Sequence, residues 1–383
     1  MKKLLVLAVS IALASFVVVS EVRAEGGSEL EISGNLTSVT GWQHSRAGAR
    51  QTPTMAGLLG DGLAAMGGTG TTTFGFFIDQ IELDLAKSFG ENIRMRADLD
   101  FTPAAGTGKV GILGGTGDIL VEQAYTTVNI PAGNGIEFLV GRFNSGIGLD
   151  PIDRNELKTI SHNMIHRVLL PHNITGARAA YDFSDQLRWE VYVVNSLGDV
   201  GIANSDMPSL GTNLSYSWGD QGSKSWIKFT GAGGPEQATK KHWSFLGDLT
   251  ASVAATEALR IGVEGTMRQD DTPTAGTANA KYIGGQLKGR YAFSDVWDGT
   301  VRYGYVWDLN GGVGATQPIA NHLLGATGLG AAGNLHTLSV ATGYQITDGA
   351  RLVVEGGLDL SRAHAGGTSA ITSGLAGMFA YSF

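Results

Sequence analysis

The segment spanning residues 144–172 concentrates the side chains that could do chemistry. It overlaps the glycine-rich run FNSGIGLDP and carries carboxylates and histidines at Asp150, Asp153, Glu156, His162, His166 and His172. The spacing of His162 and His166 would place them on one face of a helix, where two imidazoles could bind one metal ion. The spacing fixes no third ligand, and the three carboxylates do not follow the pattern of an EF-hand calcium loop. We therefore predict neither a metal site nor a cofactor.

Signatures of nucleophilic catalysis are missing from the sequence. It has no GxSxG motif, and no histidine-bearing segment pairs naturally with a serine on the same face. The glycine-rich stretches at 57–62 and 325–330 do not open helices, so we interpret them as loop tips and not as phosphate-binding loops. The chain has no cysteine, which excludes thiolate zinc sites, covalent haem attachment and a cysteine nucleophile. We predict that the protein is not an enzyme.

A second group of charged residues lies in Ile93–Phe101, IRMRADLDF, where apolar and charged side chains alternate without a break. This two-residue period is that of a β-strand with one apolar face and one charged face. The charged face carries Arg94, Arg96, Asp98 and Asp100. An arginine facing lipid near the bilayer midplane would cost about 2–4 kcal/mol. A strand with lipid against its apolar face and water against its charged face would place both sets of side chains in a favourable environment.

The same alternation recurs along the chain and predicts about sixteen strands of about 9–13 residues, a length that suits a tilted strand crossing a bilayer. The connections alternate between short ones, such as 131–134, and long ones, such as 102–118 and 144–172. In an up-and-down meander, every second connection lies at the same end. A sheet edge in hydrocarbon has no water to pair with, so the sheet must close. We predict an all-β, transmembrane, antiparallel up-and-down β-barrel with short periplasmic turns and long extracellular loops.

Residues 1–24 have the layout of a secretory signal peptide, with two lysines, an apolar run and the small-residue site VRA. The apolar run is shorter than a spanning helix needs, although an uncleaved anchor helix is the alternative. We predict a cleaved signal at 1–24, one barrel domain over 25–383, and export to the outer membrane of a Gram-negative cell. The net charge of −8 argues against nucleic-acid binding.

The last residues, MFAYSF, place three aromatic side chains on one strand face, at Phe379, Tyr381 and Phe383. Aromatic residues at strand ends suit the interface between lipid and water. A final aromatic strand that ends in phenylalanine also resembles the signal by which outer-membrane barrels are recognised for assembly. We therefore predict outer-membrane lipid and the barrel assembly machinery as partners, with these three residues as the assembly signal.

Several short motifs between residues 121 and 199 form a recognisable set. They are QAY at 123–125, GRF at 141–143, GIG at 146–148, and the single positions His172, Gly176, Val194 and Asn195. Together they resemble the OmpL-like family of bacterial β-barrel porins. The resemblance implies a pore-forming outer-membrane protein and does not name the solute. Because porins of this size are often trimers, it also implies a homo-oligomer such as a trimer.

Alternation and the resemblance together select a mixed-charge set of pore-lining and constriction candidates: Arg94, Arg96, Asp98, Asp100, Arg142, Asp150, Asp153, Glu156, Arg178, Arg188, Glu190, Arg260 and Glu264. Residues 144–172 form the third long loop, which folds inward as a constriction in porins generally. Our hypothesis is that its three carboxylates face lumen arginines across a narrowed pore, among them Arg94, Arg96, Arg142 and Arg178. Opposed charges would set up a transverse field. The alternative is an outer loop that lies over the rim.

These observations predict a passive diffusion channel for small hydrophilic solutes and ions. The near balance of lumen charges argues against a strongly anion-selective pore. One alternative is a barrel sleeve around a partner such as an exported multihaem cytochrome, whose haem the cysteine-free chain could not attach itself. Another is a surface adhesin that uses 196–209 and 309–334. A secreted β-sandwich would explain the alternation but not the unequal connections.

Overall fold

The computed structural model describes residues 29–47, 72–101, 119–197, 207–220, 224–236, 243–271, 279–309, 332–363 and 370–383. The strands are β1 (Glu31–Ala47), β2 (Thr72–Phe89), β3 (Ile93–Phe101), β4 (Ile119–Ile130), β5 (Ile136–Asn144), β6 (Asn173–Asp182), β7 (Leu187–Val194), β8 (Ser209–Trp218), β9 (Ser225–Pro235), β10 (Trp243–Ala254), β11 (Leu259–Asp270), β12 (Ala280–Ala292), β13 (Trp297–Asp308), β14 (Ala332–Gln345), β15 (Ala350–Ala363) and β16 (Ala370–Ser382). One short helix, α1 (Met164–Val168), lies between β5 and β6. Within the described residues, no helix is long and apolar enough to cross a membrane.

The strands form one closed sheet. Each pairs with its neighbours in sequence, and β1 pairs antiparallel with β16 from Asn35↔Ser382 to Ala47↔Ala370. Closure gives the backbone groups of every strand a partner on both sides, which a sheet surrounded by hydrocarbon requires. The predicted sixteen-stranded antiparallel barrel is confirmed.

The connections differ between the two rims. At one rim residues 90–92 join β2 to β3, residues 183–186 join β6 to β7, and residues 293–296 join β12 to β13. These turns are tight, with the Phe183 amide donating to the Leu187 carbonyl at 2.9 Å. At the opposite rim the chain runs through longer segments, such as 145–172 between β5 and β6. The predicted alternation of short and long connections is confirmed.

The two faces of the sheet differ as the alternation predicts. On β13, Tyr303 is exposed on the outer face while its neighbour Arg302 is buried inside. On β3, Met95 is exposed outside, and Asp98 and Asp100 are buried inside. At these positions the outer face is apolar, and the charged groups project into the lumen.

Two irregularities in register bring extra carboxylates into the lumen. Thr37 pairs with Gln80 and Ser38 with Ile78, so the register between the two strands skips one residue of β2, Asp79. A second irregularity between Asp98 and Leu99 on β3 skips one residue of β4, Glu122. Bulges re-aim single side chains in this way. Asp79 pairs with Arg154, and Glu122 is buried.

Aromatic side chains surround the outer face near the short turns: Phe183, Trp189, Phe293, Trp297 and Tyr344. The indole N–H groups of two of them donate hydrogen bonds to threonines on the neighbouring strand. The indole N–H of Trp189 donates to Thr212 Oγ1 at 2.8 Å, and that of Trp297 donates to Thr342 Oγ1 at 2.6 Å. Rings with an apolar body and a polar edge suit the interface between lipid and water. This rim therefore lies at one surface of the membrane.

The outward orientation can be tested on β11, where Val263 is exposed and pairs with the outward Leu287 of β12. We expect V263R to lower the free energy of unfolding by about 2–4 kcal/mol, because it places a cation in hydrocarbon near the middle of the strand. Urea unfolding in lipid vesicles, followed by tryptophan fluorescence, measures the change. V263A is the matched control, and equal stability of the two variants would contradict the orientation.

Candidate functional site

Residues 145–172, called the inner loop below, leave the end of β5 and return to the start of β6. The loop is closed at its base, where the Ser145 amide donates to the His172 carbonyl at 2.7 Å. Gly146 and Gly148 have φ values of 65° and 92°, a left-handed conformation that favours glycine. A β-carbon at Gly148 would also clash with Leu170 Cδ1. The glycines of the GIG motif therefore turn the chain inward at this point.

Asp150 provides the first anchor between the inner loop and the barrel wall. Its side chain is fully buried and accepts from Lys288 Nζ of β12 at 2.9 Å and from Arg302 Nη1 of β13 at 3.5 Å. It also accepts from the Asn163 amide at 2.9 Å, which joins two parts of the loop. Burial alone would raise the pKa of Asp150, but the two cations hold it below its ordinary value. The carboxylate therefore remains charged at neutral pH and ties the loop to two strands.

Glu355 of β15 provides the second anchor. Its Oε2 accepts from the Ile160 amide at 2.5 Å and the Ser161 amide at 2.9 Å, and its Oε1 accepts from Ser161 Oγ at 2.7 Å. Arg302 donates to the Ser161 carbonyl at 2.6 Å and lies 3.4 Å from Glu355. Buried charges are tolerated when hydrogen bonds and an opposite charge satisfy them, as they do here.

Further contacts reach β2, β16 and β12. Arg154 pairs with Asp79 at 3.0 Å, and Asn155 donates to Ser382 Oγ at 3.0 Å. On α1, Ile165 packs so closely on β12 that a β-carbon at Gly284 would lie 2.7 Å from Ile165 Cγ1. An apolar cluster forms around this contact from Ile147, Met164, Ile165, Leu169, Leu170, Leu246, Ala280, Tyr282, Val306 and Leu335. The inner loop therefore lies against the inner wall, with polar and apolar contacts on different strands.

Three histidines of the inner loop form a stack. The ring centroids of His162 and His166 are 4.2 Å apart with planes at 6°, and those of His166 and His172 are 4.3 Å apart at 22°. His162 Nε2 donates to the Pro151 carbonyl at 2.9 Å, and His172 Nε2 donates to the His166 carbonyl at 2.7 Å. Because lone pairs lie in the ring planes, parallel stacked rings do not direct them at one ion. The stack is therefore a packing unit of the loop.

The structure corrects the predicted pairing of the loop carboxylates. Asp150 contacts Lys288 and Arg302, which lie on strands distant in sequence, and not the arginines of β3 to β6. Asp153 lies beside wall carboxylates, and its oxygen falls within 4.8 Å of those of Glu82 and Glu122. Burial and neighbouring carboxylates raise the pKa of Asp153 to about 7. Glu156 is exposed.

Arg142 is a second correction. On β5, Leu139 and Phe143 are buried inside the barrel, and Val140 is 39 % exposed on the outer face. The register between β5 and β6 is unbroken, so side chains alternate along β5 without interruption. Arg142 therefore lies on the same outer face as Val140 and not in the lumen. Its Nε donates to the Glu122 carbonyl at 3.1 Å, close to the bulge on β4. The prediction relied on the GRF motif, which does not specify the face.

The other predicted residues project inward, and all of them except Glu264 make local contacts along the wall. Arg94 pairs with Glu31 and Arg96 with Asp98, both at 2.7 Å. Gln80 Nε2 lies 3.3 Å from Asp100 Oδ1. A network on β5 to β7 joins Glu137, Arg178, Asp182, Arg188 and Glu190. Arg260 donates to the Lys224 carbonyl at 3.0 Å, and Glu264 accepts from Asn163 Nδ2 at 3.2 Å.

Asp79 and Glu122 were not among the predicted site residues. Strict alternation assigns each of them to the outer face, and only the bulges turn them inward. Nothing in the local sequence marks either bulge.

Solved outer-membrane channels share this fold. The outer membrane channel DcaP of Acinetobacter baumannii has a TM-score of 0.61 at 12% identity, covering 94% of this chain and 98% of that one. The anion-selective porin from Comamonas acidovorans has a TM-score of 0.59 at 10% identity, covering 94% and 100%. OmpT of Vibrio cholerae in its trimer form has a TM-score of 0.57 at 10% identity, covering 94% and 100%. The chain thus has the fold of the outer-membrane porins.

The particular family follows from the sequence. Residues 31–380 match the family described as "Putative beta-barrel porin-2, OmpL-like". The match spans most of the chain, so the chain belongs to this family, and the predicted resemblance is confirmed. Among curated proteins, none matches the chain. Family and fold together identify an outer-membrane channel of the porin class.

The first anchor can be tested with D150N, which keeps the side-chain shape but leaves Lys288 and Arg302 without their shared carboxylate. We expect the barrel to lose about 3–5 kcal/mol of stability, because removing one partner leaves buried charge uncompensated. Urea unfolding and protease sensitivity within residues 145–172 measure the effect. E156Q is the matched control, since it neutralises an exposed carboxylate of the same loop. If D150N is as stable and protease-resistant as E156Q, Asp150 is not an anchor.

Proposed function

We propose that the protein is a passive diffusion channel for small hydrophilic solutes and ions, narrowed by its inner loop. The observation that carries the proposal is the anchoring of that loop by Asp150 and Glu355 to the inner faces of β12, β13 and β15. Family membership supports a channel, and the charged lumen supports polar cargo. The protein would work without turnover or a cofactor.

Charge segregation along the inner loop supports a transverse field in the pore. Asp153 lies beside wall carboxylates such as Glu82. Burial lowers the pKa of Lys158, and the neighbouring cations Arg351 and Arg290 lower it further. One part of the loop therefore faces acids and a later part faces bases. Such a field orients water and polar solutes and disfavours apolar ones. Asp153 and Glu156, with the inward Arg94, Arg96, Asp98, Asp100, Arg178, Arg188, Glu190, Arg260 and Glu264, are the proposed pore-lining residues.

Export and assembly form the second part of the proposal. Residues 1–24, which lie outside the described residues, would be a cleaved signal peptide. Phe379, Tyr381 and Phe383 would act as the assembly signal. In support, all three are exposed. Phe379 and Tyr381 lie on β16 where it pairs with β1, and Phe383, directly after β16, exchanges backbone hydrogen bonds with Gly34. The trimer form of Vibrio cholerae OmpT, which shares the fold, supports a trimer for this chain.

The two alternative functions have less support. A barrel that houses a partner, such as a cytochrome, needs a free interior, whereas here the inner loop lies within the lumen against β12, β13 and β15. The adhesin hypothesis relied on 196–209 and 309–334, and most of both segments lies outside the described residues.

Planar-bilayer recording tests the channel and its constriction. We expect the purified protein to form ohmic channels. A variant with 147–170 replaced by a short Gly-Ser linker should have a larger single-channel conductance and pass larger sugars, because the inner loop no longer occupies the lumen. A variant that shortens 183–186, a turn at the opposite rim, controls for disturbance of the barrel. Absence of conductance would refute the channel, and an unchanged conductance after loop removal would refute the constriction.

A further inference from the structure

We propose that the three-histidine stack is an acid-sensitive latch, which holds the inner loop against the wall at neutral pH and releases it on acidification. The latch depends on the packing and charges of the inner loop itself. Only its consequence for conductance rests on the proposed function.

The geometry requires neutral rings. His166 lies in the middle of the stack with 3 % of its surface exposed, and centroids of neighbouring rings lie 4.2 and 4.3 Å away. A proton on His166 would put a positive charge between His162 and His172, and protons on two rings would set like charges in contact. The Nδ1 atom of His166 is buried and has no hydrogen-bond partner. Protonation there would therefore create a buried N–H with nothing to accept it.

The surrounding charges do not compensate for a new cation. On the loop itself, Arg154 and Arg167 act on the rings, and Asp150 is the carboxylate that acts on His166. Asp150 already forms ion pairs with two cations of the wall, Lys288 and Arg302. The strands packed on this part of the loop also contribute Arg268 and Glu264 of β11, which contact Leu169 and Asn163. Burial lowers the pKa of His162 and of His166 well below the ordinary value.

The stack adjoins the anchors of the loop. His162 directly follows Ser161, which Glu355 and Arg302 hold, and His166 follows Ile165, which packs on Gly284. Any movement that separates charged rings therefore strains the contacts to β12, β13 and β15. The released rings would be hydrated and could take up protons freely.

The direction of the pH effect follows from linkage. The packed loop keeps His162 and His166 neutral, while the released loop binds protons below about pH 6.5. Stability of the packed loop therefore falls as the pH drops below that value. Asp153, with a pKa raised to about 7, opposes the effect by taking up a proton in the packed state. The contribution of Asp150 is retained until the pH falls below about 4. Asp153 takes up its proton within the same range, so only the difference between variants that all keep Asp153, compared from pH 7.5 to 5, reports the histidines.

The test uses H166F in the intact barrel. Phenylalanine keeps an aromatic ring in the stack and cannot be protonated, and the Nδ1 atom of His166 makes no hydrogen bond that would be lost. We expect wild-type protein to become protease-sensitive within residues 145–172 between pH 7.5 and 5, with a matching change in conductance. In H166F the transition should move to lower pH by about one unit, since one of the titrating groups is gone. H336F, which alters a partly exposed histidine on the outer face, is the matched control.

Each outcome decides the proposal. Equal protease protection of the wild-type inner loop at pH 7.5 and 5 would overturn the latch without any variant. The same would follow if H166F and H336F shared the wild-type transition. If H166F fails to fold, H162Q and H172Q replace it, and unshifted transitions in both would overturn the latch. A protein that never conducts, but whose loop is released by acid, would refute the proposed function and leave the latch intact.

Discussion

A backbone amide or carbonyl in hydrocarbon has no water to bind, and this constraint determines the rest of the structure. It forces the strands to close into a ring, which they do where β1 meets β16. Closure in turn separates an outside that contacts lipid from an inside that contacts water. Each strand then needs apolar and polar residues in alternation, as Met95 and Arg96 illustrate. The alternating composition and the length of the strands are consequences of this one requirement.

A ring of sixteen strands encloses more space than side chains on its wall can fill. The inner loop occupies part of that space and forms a core with one side of the barrel. Its apolar face, around Ile165 and Leu169, packs where β12 carries Gly284, so the wall is recessed to receive it. The lumen of this channel is therefore asymmetric, with a packed side and a side where local ion pairs such as Arg188 with Asp182 remain partly exposed.

The barrel could be predicted from the sequence because alternation and turn spacing are local properties. Ile93–Phe101, for example, has the same bounds in the sequence pattern and in the structure. The charged partners of the inner loop could not be predicted in this way. Asp150 meets Lys288 and Arg302 only after strands far apart in sequence are brought together. A bulge such as the one at Glu122 depends on the register of two strands, and neither strand shows it alone.

Ionic anchors and apolar packing have different roles in holding the inner loop. Apolar burial around α1 is non-directional, so it favours contact with the wall but permits sliding along it. Buried ion pairs add little net stability, because desolvation offsets their attraction, yet a misplaced partner is costly. The charge of Asp150 is compensated only at the position where Lys288 and Arg302 both reach it. The amide and hydroxyl of Ser161 find their acceptor only where both can donate to Glu355. The ionic contacts therefore fix the position of a loop that apolar contacts alone would leave free to shift.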